Sequence, residues 1–268
     1  MGSGISEMIG RPRFSANDTG VITAPRLCCA SWNIHRARGS DGRVDPDRIR
    51  AAITDHLAPL DLDVLALQEA DEECRPHARI LDIDGIGHAT GLCYQHADAA
   101  MRWGPESSGF LGTILFLHPR FTPTHRAVID LPGHCHRGAV VIEATAGPVP
   151  FRLVSGHLSL TQPLRIVQMR IIGQYLRRRP PMQTVLLGDF NEWRPWGGLM
   201  FSARLIGQRF GGPVRGTFPS RYPVLPLDRI MTDRAGAISD AQVIAAAPLS
   251  RASDHLPISA RITLSRAG

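Results

Sequence analysis

Short apolar runs without polar alternation constrain this chain more than any other feature. Thr113-Ile114-Leu115-Phe116-Leu117 and Ala139-Val140-Val141-Ile142 carry apolar side chains at successive positions. Side chains alternate across a strand, so such runs describe strands covered on both faces. Asp63-Val64-Leu65-Ala66-Leu67-Gln68-Glu69 and Val185-Leu186-Leu187-Gly188-Asp189-Phe190-Asn191-Glu192 are apolar runs that end in polar residues. If the second strand continues to Asn191, Asp189 and Asn191 share a face. A carboxylate and an amide held together at a strand end can position a water or a hydrated cation. The same two residue types also favour an Asx-turn, and this stretch alone leaves both readings open.

Further strands are expected at 27–33, 112–117, 122–129, 137–144, 150–158, 227–232, 238–245 and 256–264. The four between Gly109 and Ser159 follow one another with turn residues between them, which suggests antiparallel sheet. Asp45 then Pro46 starts a helix over 46–58, with Ile49, Ile53 and Leu57 at helical spacing. Leu164, Val167, Ile171 and Tyr175 mark a helix over 162–179. Arg177-Arg178-Arg179 complement its C-terminal dipole and Pro180-Pro181 stop it. Shorter helices are expected within 79–92 and near 197–206. The arrangement predicts two sheets packed face to face with helices outside.

Length and charge narrow the function. With 268 residues the chain suits one large α/β domain. We expect that domain over 25–268, preceded by a disordered tail over 1–24. All 30 basic residues are Arg, which excludes a Schiff-base or P-loop lysine. Guanidinium binds phosphate bidentately, so the net charge of +6 suits a polyanionic partner without requiring one. Five cysteines, at 28, 29, 74, 93 and 135, form no framework. That predicts free thiols, a reducing compartment and a cytoplasmic location. No apolar run approaches the roughly 18 residues of a membrane span, and a monomer is expected.

Polar residues recur at the ends of the expected strands: Asn33 and His35, Gln68-Glu69, His157, Asp189 and Asn191, Asp228, and Ser253-Asp254-His255. Only the fold can bring them together. Mg²⁺ or Mn²⁺ takes oxygen ligands and keeps several waters, so one or two carboxylates suffice as anchors. Glu69 and Asp254 are such anchors, with Asn33 beside them. No Cys and His set has zinc spacing, and His134-Cys135-His136 reads as a polar loop.

These stretches carry a resemblance. Ser31-Trp32-Asn33-Ile34-His35, Leu65-Ala66-Leu67-Gln68-Glu69, Ser155-Gly156-His157-Leu158, Leu187-Gly188-Asp189-Phe190-Asn191, Leu227-Asp228-Arg229-Ile230 and Ser253-Asp254-His255-Leu256-Pro257 occur in that order. The chain resembles the endonuclease/exonuclease/phosphatase superfamily, the DNase I-like proteins. The resemblance implies a four-layer α/β/β/α sandwich, two mixed sheets flanked by helices, with the site at one edge. It implies Glu69 as main metal ligand, helped by Asn33 and Asp254. Asp189 and Asn191 would hold and activate the attacking water or a second metal. Asp228 would orient His255, and His157 would contact the scissile phosphate or move a proton. His35, Arg137 and Arg221 would be candidates to meet the substrate phosphate. The implied activity is Mg²⁺- or Mn²⁺-dependent hydrolysis of phosphodiesters, with nucleic acid as the expected substrate. Phospholipid headgroups, small phosphate esters and a non-catalytic binding role are the alternatives. A lipid substrate would call for an exposed apolar patch and peripheral membrane contact, and Trp193, Trp196, Leu199, Met200 and Phe201 are the residues that could form it.

Overall fold

The computed structural model describes residues 24–133 and 137–266. The expected tail, except its last position, and His134-Cys135-His136 lie outside the described residues. The strands in chain order are β1 (Arg26–Asn33), β2 (Val64–Gln68), β3 (Cys93–Tyr94), β4 (Ile114–Leu117), β5 (Thr122–Leu131), β6 (Arg137–Ala146), β7 (Val149–His157), β8 (Gln183–Asp189), β9 (Asp228–Thr232), β10 (Ile238–Val243) and β11 (Ile258–Thr263). The α-helices are α1 (Pro46–His56), α2 (Ile83–Thr90), α3 (Gln162–Arg177), α4 (Ala203–Ile206) and α5 (Ala247–Ala252).

One sheet has the order β10-β11-β1-β2-β4-β3 and the other β5-β6-β7-β8-β9. The β1–β2 and β7–β8 pairs are parallel and the other pairs antiparallel, so both sheets are mixed. Strand alternation distributes side chains among three apolar cores. Leu27 and Cys29 of β1 point inward and meet Phe151, Leu153, Val185 and Leu187 of the other sheet. Ala30 and Trp32, one residue out of phase, point outward and pack with Ile49 and Ile53 of α1 and Leu249 of α5. On the far side Leu186 and Val154 pack against Met169, Ile172 and Leu176 of α3. Three cores separate four layers, so strands covered on both faces are a direct consequence. Each large apolar side chain so buried contributes about 1.5–3 kcal/mol, and this holds the strand ends in place.

Four expectations are revised in detail. First, β4 does not join the antiparallel run that follows it; it pairs with β2 in the other sheet. Second, the helix within 79–92 is confined to α2. Asp82 caps its start, accepting from Gly85 N at 2.9 Å, and left-handed Gly91 ends it. Third, the segment near 197–206 is a 3₁₀ turn at Leu199–Phe201 followed by the single turn of α4. Fourth, α5 was not expected, although Pro248 in its first turn is a start signal. The arginines at the end of α3 work locally: Arg177 donates to the Ile206 carbonyl at 2.8 Å and Arg179 pairs with Glu143 at 2.7 Å. No described helix is long and apolar enough to cross a membrane.

Candidate active site

Register places the polar strand ends together. Asn33 lies opposite Gln68 in the parallel β1–β2 pair, and His157 opposite Asp189 in the parallel β7–β8 pair. β9 runs antiparallel to β8, so its first residue, Asp228, also lies opposite Asp189. The residues before β11 are tied to the end of β1. Trp32 Nε1 donates to the His255 carbonyl at 2.9 Å, and Ser253 Oγ to the Asn33 carbonyl at 2.8 Å. Gly188 lets β7 approach β8. Its φ is +143°, and a Cβ there would lie 2.1 Å from the Gly156 carbonyl oxygen. Glu69 and Asn191 follow their strands in left-handed conformations, φ +59° and +51°. Such strain in non-glycine residues costs of order 1 kcal/mol each and gathers at functional sites.

Asp189 is the centre. Its Oδ1 accepts from Asn191 N at 2.9 Å. Its Oδ2 accepts from Asn33 Nδ2 at 2.9 Å and faces His157 Nε2 at 3.5 Å and His255 Nε2 at 3.9 Å. Burial pushes its pKa up to about 6, against the lowering influence of His255 and the two amide donors. Asn191 Nδ2 donates to the Leu158 carbonyl at 2.9 Å, so that residue locks the β7 and β8 ends together.

The two histidines sit in opposite charge states. His157 is buried, and burial with Arg137, His255 and Arg36 nearby holds it well below the usual imidazole range. Arg137 Nη1 lies 3.2 Å from His157 Nδ1 and can only donate. His157 is therefore neutral with its proton on Nε2, facing Asp189. Burial would also lower His255, but the Asp228 carboxylate outweighs it and raises His255 to about 10. His255 Nδ1 donates to Asp228 Oδ2 at 2.8 Å, and Thr217 Oγ1 donates to the same oxygen at 2.5 Å.

Oxygen donors stand beside this chain. Asn33 Nδ2 lies 3.4 Å from Glu69 Oε1, and Asn33 Oδ1 accepts from His35 N at 3.0 Å. Asp254 Oδ1 is shielded from solvent and accepts no hydrogen bond, although His35 Nδ1 is 3.5 Å away. An orphaned carboxylate oxygen and the Glu69 carboxylate fit a hard divalent cation. Asp189, Asp228 and His255 also offer ligand atoms within 4.8 Å of one another. Their mutual bonding and the His255 proton make them a proton-holding chain rather than a cation site.

Of the three phosphate candidates, Arg137 faces the site through His157, and His35 lines the adjoining cavity. Arg221 is exposed on the loop before β9, next to Ser220, whose N donates to the Asp254 carbonyl at 2.7 Å. Arg36 also reaches the site. Its Nη1 donates to Glu69 Oε2, and its Nη2 lies 3.7 Å from Glu73. Sequence reading missed both Arg36 and Thr217.

A cavity of about 220 Å³ opens at Glu69 and His157, between Arg36, Glu72, Arg137 and Gly112. A second, of about 610 Å³, lies beyond Arg36 and is lined by His35, Arg38 and Arg79. Among the described residues, seven of the eight large exposed apolar side chains, Val44, Leu160, Trp193, Trp196, Leu199, Tyr222 and Val224, lie on segments that enter or leave the site ends of β1, β7, β8 and β9, an apolar rim on the loops of that edge. Met200 and Phe201, grouped with them by sequence, instead pack inward, Phe201 edge-on to Phe190.

The family model described as the endonuclease/exonuclease/phosphatase family matches residues 30–255, the whole span of the site. The chain belongs to that family. It is 33% identical over 117 residues to the uncharacterized protein YbhP of Escherichia coli K12, which covers 40% of this chain and 44% of that protein. The match thus spans less than half of this curated relative. A solved endonuclease/exonuclease/phosphatase from Bacteroides vulgatus superposes with a TM-score of 0.70 at 13% identity, over 90% of this chain and 100% of that one. A mannosyl-6-phosphatase from Bacteroides thetaiotaomicron superposes with a TM-score of 0.66 at 15% identity, over 87% and 98%. At these identities the solved structures establish the DNase I-like fold, while membership of the endonuclease/exonuclease/phosphatase family rests on the sequence match.

Proposed function

We propose that this protein is a divalent-metal-dependent hydrolase of phosphodiester bonds. The observation that carries the reading is one buried carboxylate oxygen, on Asp189, ringed by Asn33, His157 and His255. Asp189, with its pKa raised by burial to about 6, accepts the proton of the attacking water. Asn33 keeps its carboxylate aimed. His255, held protonated by Asp228, offers Nε2–H to charge developing on the phosphoryl group, and His157 offers a second donor. Glu69, Asn33 and Asp254 would hold Mg²⁺ or Mn²⁺, which when bound would polarise a phosphoryl oxygen and stabilise the leaving oxyanion.

Nucleic acid is the first substrate class, because Arg36, Arg38, Arg79 and Arg137 line the two adjoining cavities and suit successive phosphates. A phospholipid is the second. It is favoured by the apolar rim, whose Leu160, Leu199 and Val224 have no use in base stacking. The test compares wild type and Glu69→Gln on plasmid DNA, bis-p-nitrophenyl phosphate and anionic phospholipid vesicles, with Mg²⁺ and with Mn²⁺. Turnover should collapse in Glu69→Gln while the fold survives, and calorimetry should show metal affinity lost with it. Wild-type-like metal binding by the variant removes Glu69 as anchor. Vesicle cleavage far above DNA cleavage replaces the nuclease reading with the lipid one.

A further inference from the structure

His35, Arg36 and Ala37 follow the β1 end in three successive left-handed conformations, φ +48°, +51° and +57°, with no glycine among them. Each costs of order 1 kcal/mol, and a run of three persists only where the surroundings enforce it. Its structural product is the placement of Arg36. The guanidinium reaches into the active site, donates to the Glu69 carboxylate and keeps Glu73, on the exposed side, within 3.7 Å. Arg36, Glu72 and Glu73 line both cavities, so Arg36 stands in the wall between them.

Glu69 is the carboxylate best placed to anchor a cation, yet here it already holds one positive charge. A divalent ion arriving at Glu69 repels the guanidinium and competes for the same oxygens. The displaced Arg36 has two anions to turn to. One is Glu73. The other is a phosphate seated in the 220 Å³ cavity, where Arg137 lines the same space and His157 faces Glu69 Oε1 at 3.8 Å. A planar fork of donors suits two phosphoryl oxygens at once.

We propose that Arg36 is a substrate-binding residue that exchanges partners: it holds Glu69 while the cation is away and grips the substrate phosphate once the cation is seated. The proposal rests on the metal-dependent reading above. Arg36 thereby links metal binding to phosphate binding, with opposite signs for its removal.

The test measures Mg²⁺ and Mn²⁺ affinity by calorimetry for wild type, Arg36→Gln and Arg36→Lys. Inorganic phosphate affinity is then measured at saturating Mg²⁺, and KM and kcat on bis-p-nitrophenyl phosphate. Arg36→Gln should bind the metal at least about threefold more tightly, because Glu69 is no longer occupied. The same variant should bind phosphate about tenfold more weakly, with the loss in KM. Arg36→Lys keeps the charge but not the fork, so its phosphate affinity should fall between the two. An Arg36 that merely supports the loop predicts metal and phosphate affinity falling together in both variants, which overturns the proposal. Unchanged metal affinity in Arg36→Gln overturns it as well, while leaving the metal reading intact. A wild-type protein that binds neither metal removes the metal reading and this proposal with it.

Discussion

Hydrogen bonding at the candidate site assigns a different protonation to each histidine, and that assignment is measurable without any metal. His255 is held protonated by Asp228, so its pKa is raised in the folded state. The stability it contributes is fully present below its unfolded pKa of about 6.5 and is lost as pH rises through about 10. Imidazole resonances followed by NMR should show His255 charged and His157 neutral at pH 7. In Asp228→Asn the His255 titration should move down toward the ordinary imidazole range. A His255 that titrates normally in the wild type would break the pairing. If the pair acts as one unit, Asp228→Asn combined with His255→Ala should be scarcely slower than His255→Ala alone. The residues of this chain were legible because they flank apolar runs: Asn33, Glu69, His157 and Asp189 end or follow β1, β2, β7 and β8, while Asp228 and His255 begin or precede β9 and β11. Arg36 was not legible. Its placement depends on left-handed backbone that His-Arg-Ala does not advertise, as glycine would. Thr217 lies in a loop whose path only tertiary structure sets.

The loop after β8 is built as a rigid element although it contains no regular structure before Leu199. Glu192 is fully buried and pairs with Arg165 of α3 at 3.3 Å and with Arg194 at 2.8 Å. Arg229 of β9 then donates to the Glu192 and Arg194 carbonyls at 3.1 and 3.0 Å. The Glu192 carboxylate thus ties the loop to α3, and its backbone carbonyl ties it to β9, at the position next to Asn191. Removing the carboxylate leaves the buried Arg165 guanidinium only the Ser159 and Leu160 carbonyls and no counter-charge. Glu192→Ala should cost about 3–5 kcal/mol in chemical denaturation. Hydrogen exchange should rise first in 192–199, before the sheets loosen. A loss under about 1 kcal/mol would show the network to be dispensable. The helices and strands themselves were mostly readable, since 2.0 and 3.6 periodicity and capping residues are local signals. Assignment of β4 to the first sheet was not, because its apolar run fits either sheet equally well and only the long connection through β3 decides it.

At the scale of the whole molecule the sandwich has a chemical polarity. Parallel pairing of β1 with β2 and of β7 with β8 sends four strand ends to one edge, one pair from each sheet. Carboxylates, imidazoles and amides from separate parts of the chain meet there because both sheets deliver them together. The layered fold was predictable from strands covered on both faces. The meeting point was predictable only from the resemblance, since no local pattern states which strands run parallel.

The apolar rim gives this polarity an optical side. Two of the four tryptophans, Trp193 and Trp196, are exposed beside the site, Trp196 by 75%, while Trp32 is sealed beneath the helices. The protein therefore carries its own light-emitting probe on that rim. Acrylamide should quench the rim emission and leave that of Trp32. Stacked nucleobases would dim the rim without shifting its colour, whereas entry into a bilayer would move the emission to the blue. Trp196→Phe should remove most of either response. The colour of the change on adding oligonucleotide or vesicles then reports which surface the rim was made to meet.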